Sequence, residues 1–183
     1  MSKILVDTID TRSGTTTLTL GSTNAGTIAL GSGDVQSNFM YPAFMAKMGS
    51  NQTPSNATWT KVNFDTEIFD TDSMYDTSTY RFTPTVAGKY LINGGVDVDL
   101  GNTAFIRAYV AIYKNGSHYF GAIHDANNNY QNEITLHAQA IVDMNGSTDY
   151  VEMYARGDDN NSTPSFRGSG DPQQYFYGFR IGT

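Results

Sequence analysis

The chain of 183 residues contains no cysteine, which excludes disulfides, thiolate metal sites and thiol nucleophiles together. It is also poor in charge: Asp, Glu, Lys and Arg make up 16%, and 11 basic residues face 18 acidic ones, for a formal net charge of -7. A surface so short of Lys and Arg cannot neutralise many phosphates, which argues against nucleic acid or an anionic membrane as partner. Residues 1–20 lack a basic start followed by an apolar run, so no secretory signal is expected there. No apolar stretch approaches the ~20 residues of a membrane-spanning helix. Nor does any segment hold a 3.6-residue apolar repeat, so little or no helix is expected.

What is abundant points to β-structure. Aromatic residues reach 13% (Tyr 12, Phe 10) and glycines number 18, which suits many short strands joined by tight turns. The stretch from Tyr80 to Ile92 shows the logic. Tyr80 and Phe82 fall on one side of a short strand with Arg81 on the other. Pro84 cannot donate to a ladder and stops the pairing, and Gly88 frees the backbone to start the next strand. That strand runs to about Leu100, with Tyr90, Ile92, Val96 and Val98 on one face and Asn93, Asp97 and Asp99 on the other. Asn115-Gly116, between Val110–Tyr113 and Tyr119-Phe120, is the strongest hairpin signal. Turn-rich spacers at 49–56, 101–103, 125–132, 145–149 and 157–173 divide the rest into around ten strands, which implies a two-sheet sandwich.

The first forty residues read differently. Ile4, Val6 and Ile9 suggest one or two short strands, and Thr17-Leu18-Thr19-Leu20-Gly21-Ser22 recurs ten residues later as Thr27-Ile28-Ala29-Leu30-Gly31-Ser32. Such a unit cannot bury its apolar face within one chain, whereas copies stacked around an axis can. The alternative is a single hairpin lying against the rest. The boundaries expected are 1–38 for an N-terminal attachment and β-repeat stalk and 39–183 for a head.

The head carries a family resemblance. Phe82-Thr83-Pro84, followed by Gly88 and Tyr90, resembles the signature of the globular head shared by complement C1q and the tumour-necrosis-factor group. Pro42–Ala46, Trp59–Asp65, Phe69-Asp70, Tyr75-Asp76, Ile112–Gly116, Asp149–Val151 and Phe176–Phe179 follow the same family's order across residues 42 to 181. The resemblance implies an all-β, ten-strand jelly-roll sandwich assembled as a homotrimer. The sheet facing the three-fold axis would then present Asn93, Asp97, Asp99, His137, Gln139 and Phe176 to its neighbours. Three copies of Asp97 and Asp99 would form a carboxylate ring able to take a divalent cation such as calcium; the alternative is simple solvation. The chain departs from animal relatives in lacking a collagen-like stalk and cysteines. Its opening, Lys3 to Leu20, is similar to the openings of fibre-like virion proteins of tailed phages.

No enzyme is expected. There is no Gly-x-Ser-x-Gly setting and no Cys, and His118, His124 and His137 have no nucleophile to activate. Arg156-Gly157-Asp158 spells an integrin-binding tripeptide but is short enough to arise by chance. Two amide-rich segments look more useful: Asn127, Asn128, Asn129 and Tyr130 in one, Asp159, Asn160 and Phe166 in the other. Amides that bond sugar hydroxyls beside rings that stack on sugar faces make a candidate receptor surface on loops. The composite expectation is a trimeric virion fibre or appendage protein. Its N-terminal segment would contact other virion proteins and its head a host-surface receptor, with glycan as a candidate. The alternative is a structural capsid-decoration or adaptor protein without receptor binding.

Overall fold

The computed structural model describes residues 42–101, 104–160, 163–168 and 173–182, with only the backbone described for Ala104, Asn128, Asn129 and Tyr130. The expectations for the N-terminal stalk and its boundary at 38/39 lie outside these residues. Among the described residues there are twelve strands and no helix.

The alternating run read around Tyr90 forms strand β6 (Gly88–Asp99), numbered in chain order. Tyr90, Ile92, Val96 and Val98 are fully buried on one side of it, as the period-2 pattern requires. Along one edge β6 pairs antiparallel with β9 (Glu133–Met144) over its whole length. Along the other edge it pairs with β12 (Tyr175–Gly182) and, beyond that, with β11 (Ser165–Phe166). Strands β1 (Ala43–Lys47) and β3 (Thr66–Asp70) complete this first sheet on the far side of β12.

The second sheet is built on β10 (Val151–Asp159) and the hairpin of β7 (Ala104–Lys114) with β8 (Ser117–Tyr130). The free edge of β10 is lined by β2 (Thr60–Lys61) and by β5 (Arg81–Phe82), which carries β4 (Tyr75–Asp76) outside it. The hairpin turn is the one read from Asn115-Gly116: both residues have positive φ, 52° and 77°, as the two-residue turn that matches strand twist demands. Gly88 has φ 148°, and a Cβ there would lie 2.3 Å from the Gly182 carbonyl oxygen, so only glycine fits.

The two sheets close on one aromatic core. The Phe44 ring stacks on Phe82 (centroids 4.3 Å apart) and Tyr75 (4.9 Å) and meets the edge of Phe176 at 4.9 Å. The buried Tyr75 hydroxyl donates to the Phe64 carbonyl at 2.8 Å, so the one polar tip in this cluster is satisfied. The jelly-roll sandwich is as expected, although four of its twelve strands are only two residues long.

Three local expectations change. Tyr80 is not a strand residue: its φ is 57°, and pairing starts only at Arg81. The Asn-rich segment 127–130 is not a loop but the end of β8, where Asn129 pairs Phe105 and Tyr130 pairs Ala104. Ladder hydrogen bonds to β7 override the poor strand propensity of Asn there. Phe166 is likewise a fully buried core residue, in a strand that pairs Val98.

Candidate functional site

The outward face of the first sheet is set by the β6 register. Leu91 stands between Ile141 and Phe179, and Asn93 between Gln139 and Tyr177. Gly95 stands between His137 and Tyr175, and Asp97 opposite Thr135. Asn93, His137, Gln139 and Asp97 therefore do share one face, in adjacent rows. The missing side chain at Gly95 is what lets the flanking rings meet: a Cβ there would come within 2.7 Å of His137 Nδ1. His137 and Tyr175 lie nearly parallel, centroids 5.7 Å apart, with a 3.0 Å hydrogen bond between the Tyr175 hydroxyl and Nδ1. Burial pushes the Tyr175 phenol above its ordinary pKa, so it stays protonated. Tyr177 extends the stack at 5.6 Å.

Phe176 does not belong to this face. It is fully buried against Phe44, Phe64 and Tyr75, on the opposite side of β12 from its two neighbours. Side chains alternate along a strand, so one step in phase moves a ring from partner surface to core. The outward aromatics of β12 are Tyr175, Tyr177 and Phe179, which share one phase of the strand, while Phe176 in the other phase faces in.

The acid end of the face is also rearranged. Asp99 Oδ2 accepts from Arg167 Nε and Nη2 at 3.0 and 2.9 Å, and Arg167 Nη1 also reaches Glu133 at 2.6 Å. A carboxylate already neutralised by a guanidinium is not available to an open ring, and Asp97 beside it is only 2% exposed. Among the described residues of one chain, no group of three or more His, Asp or Glu gathers where a metal ion could sit. The Asp97/Asp99 ring for calcium would need the carboxylates of three copies, with Asp99 of each copy engaged by Arg167.

At the other end the face turns apolar. Ile141 is 55% exposed and Phe69 46%, with Met45 between Phe69 and Tyr177 in register. Beneath this band the Oδ1 of Asn93 is buried without a hydrogen-bond partner. Along the adjoining sandwich edge Tyr119 and Phe120 are 46% and 53% exposed, and the Tyr119 hydroxyl reaches the Ile141 carbonyl at 3.1 Å.

Of the amide-rich positions, Asn127 and Asn160 are exposed. Asp159 is not: it is 3% exposed, and its N–H donates to Asn56 Oδ1 at 2.9 Å while the Asn56 amide donates to its carbonyl at 2.6 Å. Arg156-Gly157-Asp158 lies inside β10, with Arg156 gripping Asp158 through two hydrogen bonds of 2.6 and 2.9 Å. A tripeptide whose ends are bonded to each other in a strand is not presented to a receptor. His118 packs on Trp59 and Tyr113, and His124 stacks on Phe105 and meets Gln131 Oε1 at 3.0 Å.

The sequence from residue 43 to 181 matches the C1q domain family. Among solved structures, the chain is similar to the globular domain of zebrafish complement 1qA, at 17% identity and TM-score 0.50, over 76% of this chain and 96% of that one. It is also similar to murine APRIL, at 11% identity and TM-score 0.52, over 76% of this chain and 98% of that one. At these identities the likeness is one of fold. No curated protein matches the chain.

Proposed function

The chain belongs to the C1q domain family, and from that premise we propose a non-enzymatic homotrimer. Its head would be the outer part of a fibre or appendage on a tailed-phage virion, engaging a host-surface receptor of which glycan is the candidate class. The trimer is carried by one observation: a band with exposed Ile141 and Phe69 over the unpartnered Asn93 Oδ1, next to an edge bearing exposed Tyr119 and Phe120. Exposed apolar groups in such number mark a contact surface. Face and edge are different surfaces of one chain, so copies joined edge to face make a heterologous contact that can close into a ring. A neighbour's edge would cover the apolar band and offer the Asn93 oxygen a donor. The virion setting is supported by the phage-like opening from Lys3 to Leu20. The receptor role is supported by the exposed amides of Asn127 and Asn160.

Light scattering of the full chain tests this. The expected mass is three times the 20.0 kDa of the chain, falling to one chain in Ile141→Asp. A stable wild-type monomer overturns the reading. A trimer that ignores every glycan on an array keeps the assembly and moves the head to a structural role.

A further inference from the structure

The outward face of the second sheet carries an aromatic groove outside the apolar band of the first sheet. Trp59, just before β2, reaches across β10 to the β7–β8 hairpin, with ring centroids 5.5 Å from Tyr109, 6.0 Å from Tyr113 and 5.9 Å from His118. These neighbours meet it at 58°, 59° and 72°, so none of the three stacks on its face. Tyr113, by contrast, is stacked on Tyr154 at 4.0 Å and has spent one face there. Beside Trp59 a groove of about 290 Å³ opens between Tyr109, His118 and Ile123, the last 57% exposed. Its floor is small by necessity: a Cβ on Gly121 would lie 2.5 Å from the Val110 carbonyl oxygen.

We propose that this groove is a binding site for a neutral saccharide of one or two pyranose rings, stacked on Trp59. The chemistry selects the class. A pyranose offers an apolar face of C–H groups to an aromatic ring and a rim of hydroxyls to polar neighbours, and a groove of walls and small floor holds such a slab edgewise. The size is at the low end of ligand pockets, which run on the order of 300–1,000 Å³. The charged groups around it are already paired: Arg156 with Asp158 at 2.6 Å and Arg107 with Asp125 at 2.8 Å. Arg156 also lies 5.2 Å over the Tyr109 ring. Such pairs supply donors and acceptors for hydroxyls without a net field, and with an overall charge of -7 they give an anionic glycan no advantage. The groove lies on the opposite sheet from the apolar band, but His118, Gly121 and Ile123 share β8 with Tyr119 and Phe120 of the proposed contact edge, so the mass of each variant is followed beside its affinity.

Trp59 is the only tryptophan, so its emission reports this groove directly. The full chain is titrated with lactose, cellobiose and N,N′-diacetylchitobiose, following Trp59 fluorescence and saturation transfer from protein to sugar. At least one sugar should give a saturable change in both signals. Ile123→Glu and Tyr109→Ala should each weaken it roughly tenfold, with folding checked by circular dichroism and mass unchanged. Saturation transfer alone reads Trp59→Ala, which should abolish binding. No saturable signal with any of the three sugars overturns the proposal, as does unaltered affinity in folded Ile123→Glu. A heparin fragment that shifts Trp59 where the neutral sugars do not overturns it too.

Discussion

The two outer surfaces of this sandwich handle polarity in opposite ways. On the second sheet the polar groups find partners within the chain. Glu152 is fully buried, with its Oε1 held by Lys61 at 2.6 Å and Arg81 at 2.7 Å, and only its Oε2 lacks a hydrogen bond. The Arg81 guanidinium in turn lies 4.1 Å over the Tyr150 ring. On the first sheet the Asn93 Oδ1 stays unpartnered and large apolar groups stay exposed beside it. Burying an unsatisfied acceptor costs about 1–3 kcal/mol. That standing cost beside exposed Ile141 and Phe69 is what places the proposed trimer contact on the first surface. Apart from Glu152 Oε2, the second surface is finished within one chain, and its Trp59 groove is open to a small ligand.

The comparison presumes that both faces rest on one core, and the largest effect tests that. Phe176→Ala should cost about 3–5 kcal/mol, by the transfer and cavity terms of a buried Phe, measured by urea denaturation. A folded protein of unchanged stability that has lost its trimer would return Phe176 to the interface and break the description of the first face. Next in size is the buried ion pair. The double change Lys61→Met with Arg81→Met leaves Glu152 charged in the interior. Discounting for cations whose side chains are 26% and 37% exposed, the loss should be about 2–3 kcal/mol. Glu152→Gln should cost less, because the freed cations reach water. Equal losses from the two changes would mean that the second face does not depend on the buried anion. A smaller effect comes from the turn that joins β7 to β8. Asn115→Ala places a side chain without αL preference at φ 52° and should cost about 1–2 kcal/mol in thermal unfolding, whereas Asn115→Gly should cost less. A neutral Ala would mean the turn is held by the strands rather than by its residues.

How much of this was legible in the sequence depended on whether a signal was local. The alternation of Tyr90, Ile92, Val96 and Val98 and the Asn115-Gly116 turn are local, and the structure has both. Strand β12 is aromatic on both faces, so periodicity alone does not phase it: Phe176 faces in, and Tyr175, Tyr177 and Phe179 face out. The amide run at 127–130 resembled a loop because Asn is a poor strand former, yet β7 pairs with it. Arg167 and Asp99 are 68 positions apart, so their pairing could not be read from spacing. The Trp59 groove is still less local: its walls come from three separate segments and appear only once the β7–β8 register is known.

The smallest effect separates the faces by pH alone. The carboxyls of Asp76, Asp125 and Asp149 are all held below their ordinary values, and all three belong to the second sheet or its turns. For Asp76 the cause is foremost the Ser78 hydroxyl, donating at 2.6 Å, then that of Thr79 at 2.8 Å, and its pKa falls from 3.8 to about 2. Asp125 is lowered chiefly by the Arg107 hydrogen bond and Asp149 chiefly by that of Asn115. A folded pKa below the unfolded one contributes stability that is fully present above the unfolded value, 3.8 for Asp76, and is lost as pH falls through the folded value of about 2. Acid should therefore loosen the turns of the second sheet first. Amide exchange should quicken at Ser78, which donates to Asp76, and at Asn145, which donates to Asp149, before it does in the β6–β9 ladder. If the amides of Asn93 and Gln139 were to open first over that range, acid sensitivity would lie with the assembly face, and the division between a finished surface and an unfinished one would have to be drawn elsewhere.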